Sequence, residues 1–226
     1  MTNPRVRALI AARNEADRIA STVSALRSLS QVADVVVMDD ASTDGTASTA
    51  LAAGATVLQG RRRAGKGRAV EGALHRLPPA EVWLLADADL GLTAARLGPV
   101  LSEVLEGRAD LAVAVLPPAR SGGFGLVKRS ARRAIRLLSG FQALEPLSGQ
   151  RAITQEALEA CRPLSAGFGL ETGMTIDAVR QGFRLVEVPV DLDHRATGRG
   201  IGGFAHRGRQ GIDILFAVVP RALGLR

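Results

Sequence analysis

Short apolar runs alternate with helix-spaced segments through the first half of the chain. Val6 to Ala11 reads as a strand, Ala16 to Leu29 as a helix, Asp34 to Met38 as a buried strand and Thr46 to Ala53 as a helix ended by Gly54. Thr56 to Leu58 makes a third strand and Gly67 to Leu77 a helix stopped by Pro78 and Pro79. Val82 to Ala86 is a fourth strand, Thr93 to Leu105 a helix and Leu111 to Leu116 a fifth strand. Strands apolar on both faces and joined by helices predict an α/β fold, with a mostly parallel central sheet flanked by helices. In such sheets ligands gather beyond the carboxyl ends of the strands, so the chemistry is expected in the loops there.

The second half is less regular. Leu126 to Ser139 reads as a helix, Leu147 to Thr154 as a strand, Gln155 to Cys161 and Leu170 to Gln181 as helices, and Arg184 to Leu192 as a strand. A tail rich in Gly, Arg and His follows from Asp193. No internal repeat, low-complexity linker or break in composition divides the chain, so residues 1–226 are expected to form a single domain.

Composition narrows the classes. At 226 residues, 46% hydrophobic and 23% charged, the chain is an ordinary globular one. Roughly 70% of its unfolded surface can be buried at this length. Cys161 is the only cysteine, so no intrachain disulfide forms and a cytoplasmic address is expected. The longest late apolar run, Ile214 to Val219, falls far short of the roughly 20 residues a spanning helix needs. Net charge is +7, and residues 116–226 carry all of the excess, which suits a solvated arginine surface or an anionic partner. Nucleic acid is a poor candidate for that partner: with no Tyr, one Trp and six Phe, stacking platforms are scarce.

The strand-end loops are where the unusual residues fall. Ala12-Arg13-Asn14-Glu15 follows the first strand, and Asp39-Asp40-Ala41-Ser42-Thr43-Asp44-Gly45-Thr46 follows the second. Asp44 suits a helix cap. The Asp39–Asp40 pair is costly to bury unless it accepts hydrogen bonds, for which a nucleobase or ribose is a fitting donor. Arg61-Arg62-Arg63-Ala64-Gly65-Lys66-Gly67-Arg68 opens a helix and suits a diphosphate, although its glycine spacing is not that of a P-loop. Asp87-Ala88-Asp89 ends the fourth strand, and two carboxylates so spaced can converge on a hard cation such as Mg2+ or Mn2+.

These four segments, in this order, resemble the nucleotide-sugar-binding half of family 2 glycosyltransferases with the GT-A fold. The resemblance implies that Ala12, Arg13, Asn14, Glu15, Asp39, Asp40, Lys66, Asp87 and Ala88 contact a nucleoside-diphosphate sugar, of UDP or GDP type. It implies a Mg2+ or Mn2+ ion at Asp87 and Asp89, with Asp89 central to catalysis. Residues 1–116 then bind the donor and 117–226 the acceptor.

In the second half, Glu145-Pro146-Leu147-Ser148-Gly149-Gln150-Arg151, Gly167-Phe168-Gly169-Leu170-Glu171-Thr172 and His194-Arg195 with Gly198-Arg199 are similar to segments of dolichol- and polyprenyl-phosphate sugar synthases. Glu145 stands where that pattern has Asp. A phosphorylated acceptor needs cations more than a base, and Arg129, Arg133, Arg151 and Arg195 are the candidates. A hydroxyl acceptor would need a catalytic carboxylate, Glu145 or Glu171. His194 resembles a third metal ligand of glucosyl-3-phosphoglycerate synthases, or is a surface residue.

Arg129, Arg132, Arg133 and Arg136 line one face of the Leu126–Ser139 helix opposite an apolar stripe. That pattern suits either a helix lying in anionic headgroups or one packed on the core. Ile212 to Leu225 is a second candidate for interfacial contact. The acceptor expected is a lipid phosphate at the inner face of the plasma membrane, with a soluble acid such as 3-phosphoglycerate as the rival. A homodimer and a non-catalytic nucleotide-binding protein remain open.

Overall fold

The computed structural model describes residues 6–116, 125–167, 169–192, 213 and 215–224. Seven strands form one sheet in the order β3-β2-β1-β4-β6-β5-β7. They are β1 (Val6–Ala12), β2 (Val32–Asp39), β3 (Thr56–Gln59), β4 (Val82–Asp87), β5 (Leu111–Val115), β6 (Arg151–Thr154) and β7 (Leu185–Pro189). All pairings are parallel except those of β6, which runs antiparallel to both β4 and β5. The mostly parallel α/β sheet expected from the sequence is therefore observed, and the strands of the second half extend the same sheet.

Burial on both faces explains the continuous apolar strands. Ala8 and Ile10 of β1 face a layer made of α1 (Ile19–Arg27), the 3-10 helix Gly91–Leu97 and α4 (Gly98–Leu105). Leu9 faces the opposite layer of α3 (Lys66–Leu74), α6 (Gln155–Ala160) and α7 (Gly169–Arg180). Alternate residues thus enter different cores. The helix expected over Thr93 to Leu105 is in fact two pieces, because Gly98 and Pro99 start a new helix at which proline's missing N–H costs nothing. The strand expected over Leu147 to Thr154 pairs only from Arg151, and the four residues before it form a loop.

α5 (Gly125–Ser139) is amphipathic as its sequence predicts, but its apolar stripe is not free. Ala131 and Ile135 are fully buried, and Ile135 packs against Ala143, Ile176 of α7 and Val218. Burying Ile135 alone is worth about 1.5–3 kcal/mol. The headgroup-lying reading of this helix is thereby corrected: its apolar face serves the core, and Arg129, Arg133 and Arg136 stay exposed. Among the described residues no helix is long and apolar enough to cross a membrane.

Candidate functional site

The carboxyl ends of β1, β2 and β4 and the start of α3 meet at one edge of the sheet, and hydrogen bonds tie them together. Asp40 N donates to Ala12 O at 2.8 Å, joining the ends of β2 and β1. Asn14 has a positive φ of 53°, which turns its side chain toward the β2 loop, where Oδ1 accepts from Thr43 N at 2.9 Å. Asn14 N donates to Ser42 Oγ at 3.0 Å and Glu15 N to Thr46 Oγ1 at 2.9 Å. Asp44 accepts from Thr46 N at 3.0 Å at the start of α2 (Thr46–Ala52), and its hydrogen bond with the Thr46 hydroxyl holds its carboxyl below the usual range.

The two carboxylates after β2 have different surroundings. Asp40 is buried, and its oxygens accept from Ala64 N at 2.6 Å and Gly65 N at 2.8 Å, so it anchors the lysine loop to β2. Gly65, with φ of 87°, makes the turn that presents both amides. Asp39 is equally buried. Its Oδ2 accepts from Ser42 N at 3.3 Å, while Oδ1 is buried with no hydrogen-bond partner among the described residues.

Lys66 opens α3 with its ammonium between two acids, 2.5 Å from Asp87 Oδ1 and 2.8 Å from Glu171 Oε1. Burial by itself would lower its pKa. The charges of Asp87 and Glu171 more than reverse that, so Lys66 is raised above its ordinary value and stays an ammonium. Asp87 Oδ2 accepts from Gln150 Nε2 at 2.6 Å. That contact follows from the reversed direction of β6: because Leu85 pairs with Arg151, the loop entering β6 arrives where β4 ends. Two glycines permit the crowding. A Cβ at Gly149 would overlap the Lys66 ammonium, and one at Gly67 would overlap the backbone oxygen of Ser165. The backbone next to Asp89 is fixed by Arg18, which donates to Asp89 O at 3.0 Å, and by Thr22, which donates to Ala88 O at 2.8 Å.

A cleft of about 880 Å³ opens beside these groups. One side carries Arg13, Asp40, Arg63, Lys66 and Arg68. The other is built from Ser165 to Gly167 and from the C-terminal helix, residues 215–222, through Phe216, Ala217 and Pro220. One wall is thus mostly cationic, and the other sets Phe216, Ala217 and Pro220 beside the charged Asp213 and Arg221.

Residues 8–161 match the family described as glycosyl transferase family 2. The chain belongs to this family. The family 2 chain is also 32% identical over 189 residues to glycosyltransferase AglJ of Haloferax volcanii, covering 82% of this chain and 62% of AglJ, so it spans less than two thirds of that relative. Among solved structures it resembles glucosyl-3-phosphoglycerate synthase of Mycobacterium tuberculosis in complex with Mg2+ and UDP, at 25% identity and a TM-score of 0.82. That match covers 96% of this chain and 79% of the other. The same enzyme with Mn2+, UDP and phosphoglyceric acid gives 25% and 0.82 over 96% and 78%. The family and GT-A-like fold read from the strand-end motifs are borne out.

The donor-side candidates of this family 2 chain are gathered at one edge, while the acceptor-side candidates are scattered. Arg129 and Arg133 are exposed on α5. Glu145 pairs with Lys128 at 2.5 Å, and its backbone N–H donates to Glu187 at 2.7 Å. Glu171 is buried against Lys66. Arg151, expected to meet an acceptor, is instead 1% exposed and donates to Ser148 O at 2.8 Å and Thr175 Oγ1 at 2.9 Å, because its strand is central to the sheet. Burial lowers its pKa. His194 and Arg195 lie outside the described residues. Cys161 is buried.

Asp87 and Asp89 bring carboxylates to the end of β4, the oxygen donors that Mg2+ and Mn2+ prefer, and both oxygens of Asp87 are engaged here by Lys66 and Gln150. Among the described residues no group of three His, Cys, Asp or Glu side chains gathers as a metal site. Sequence reasoning missed Gln150, Arg18, Asp177 and Arg221. Gln150 sits inside the Ser148–Arg151 segment already singled out; the others carry no local signal.

Proposed function

We propose that this chain transfers a sugar from a UDP- or GDP-linked donor to a phosphorylated acceptor. The observation that carries the reading is the Lys66–Asp87 contact beside a cleft whose rim holds Arg13, Arg63 and Arg68. Solved relatives at a TM-score of 0.82 that hold UDP with Mg2+ or Mn2+ support it.

In this reading Arg13, Asn14, Glu15, Asp39 and Asp40 receive the base and ribose. The bare Oδ1 of Asp39 accepts a donor hydrogen, and Asp40 keeps the lysine loop in place. Asp87 and Asp89 hold the cation, which when bound neutralises charge that builds on the departing diphosphate. Lys66, kept cationic by its two acids, donates to the phosphate oxygens. A phosphorylated acceptor is already anionic, so it needs orientation more than a base.

The acceptor favoured is a lipid phosphate. Phe216 is 76% exposed, Leu215 and Val219 are exposed on the same helix, which forms one cleft wall, and Leu223 is exposed just past its end. An acyl or prenyl chain, and the anionic membrane around it, would cover them. A soluble acceptor is the second reading, favoured by the relative that was solved with phosphoglyceric acid.

UDP release from UDP-glucose, or GDP from its GDP counterpart, with Mn2+ separates them. The lipid reading expects release to rise with polyprenyl phosphate in anionic vesicles and the chain to float with those vesicles. Release that rises only with 3-phosphoglycerate, without flotation, selects the soluble acid. No release from any nucleotide sugar removes the transfer reading.

A further inference from the structure

We propose that Arg151 is a positioning residue for the Lys66–Asp87 pair, acting through one water molecule buried between Arg151 and Glu171. Two unsatisfied groups point to it. Arg151 uses Nε and Nη1 on Ser148 and Thr175, leaving Nη2 buried with no hydrogen-bond partner among the described residues. Glu171, 2% exposed, gives Oε1 to Lys66 and leaves Oε2 buried with none. Both residues line the same small cavity of about 10 Å³, with Lys66, Gly149 and a largely apolar remainder that includes Leu9, Val70 and Leu170.

That volume is at the lower bound of what admits one water molecule, which needs polar partners to stay. A water accepting from Nη2 and donating to Oε2 satisfies both groups at once, whereas each alone would keep its full desolvation cost. The contacts then close a circuit. From Arg151 it runs through the water to Glu171, to Lys66, to Asp87, to Gln150 at the mouth of β6, and back along the chain to Arg151. The circuit joins α7 and β6 to the start of α3 and the end of β4, so the second half of the chain sets the angle at which Lys66 meets Asp87. Arg151 therefore acts without touching the substrate, a different task from the acceptor contact its sequence motif implies.

The structural arm of the test is a high-resolution crystal structure of the full chain, expected to show an ordered water within hydrogen-bonding distance of both Nη2 and Oε2. A dry cavity, or one closed by side chains, overturns the proposal. The kinetic arm rests on the transfer reading and uses UDP release from UDP-glucose with Mn2+. Arg151→Met is expected to lower kcat by about tenfold to a hundredfold while the donor KM stays within about twofold, and Arg151→Lys to recover part of the loss. Unchanged kcat, or a rise in KM alone, contradicts it. If Arg151→Met does not fold, the partial loss expected of Arg151→Lys decides this arm. If the wild-type chain releases no UDP, the transfer reading fails, and the water density still decides this proposal.

Discussion

Asp177→Ala is expected to lower the stability of the fold by about 3–5 kcal/mol, the cost of leaving a buried guanidinium without its counter-charge. Asp177 of α7 and Arg221 of the C-terminal helix are 6% and 3% exposed. Their contact is two-pronged: Arg221 Nε donates to Asp177 Oδ1 at 2.6 Å, and Nη2 meets Oδ2. The same guanidinium donates from Nη1 to Ser165 Oγ at 3.0 Å and to Ala217 O at 2.6 Å. Without Asp177, only those neutral acceptors remain among the described residues for a full positive charge. Replacing both partners by apolar residues, Asp177→Leu with Arg221→Met, should recover most of the loss, because the burial cost leaves with the charges. Urea unfolding read by midpoint and slope measures both variants. A loss below about 1 kcal/mol in Asp177→Ala would mean that the pair does not hold the helix. The pair bears on the site because Ser165 and Ala217 belong to the cleft wall.

Lys66→Met is expected to cut kcat/KM for UDP release by about a hundredfold to a thousandfold, the usual effect of removing one preorganised donor from charge developing in a transition state. The side chain has no slack: it is clasped by Asp87 and Glu171, and Gly149 packs against its tip. Methionine keeps the shape and removes the charge, so two acids face each other across a neutral side chain. Lys66→Arg restores charge but not shape, and the crowding at Gly149 predicts only partial recovery. Activity of Lys66→Met within about threefold of wild type would remove Lys66 from the chemistry.

Much of the first half was legible because its code is local. β1 to β5 end within about two residues of the apolar runs that predict them. The parallel arrangement then carries the Asn14, Asp40 and Asp87 loops to a common edge whatever the packing details. The second half was less legible for a physical reason: its determinants are pairings across long separations. α7 buries Glu171, Thr172, Thr175 and Asp177, polar residues that sequence patterning assigns to solvent. Glu171, Thr175 and Asp177 are tolerated inside because Lys66, Arg151 and Arg221 arrive from elsewhere in the chain. The stripe of α5 shows the complementary limit, since its pattern specifies an apolar face without saying what covers it. The reversed direction of β6, which delivers Gln150 to Asp87, leaves no trace in periodicity.

Calorimetric titration of UDP into the wild-type chain and Asp89→Ala, each with and without Mn2+, addresses whether these acids serve a nucleotide and its cation. The predicted result is UDP binding strengthened by Mn2+ about tenfold or more in the wild type, with that gain abolished by Asp89→Ala while the melting temperature stays near wild type. UDP affinity that is the same with and without Mn2+, or a gain that survives Asp89→Ala, would contradict the site described.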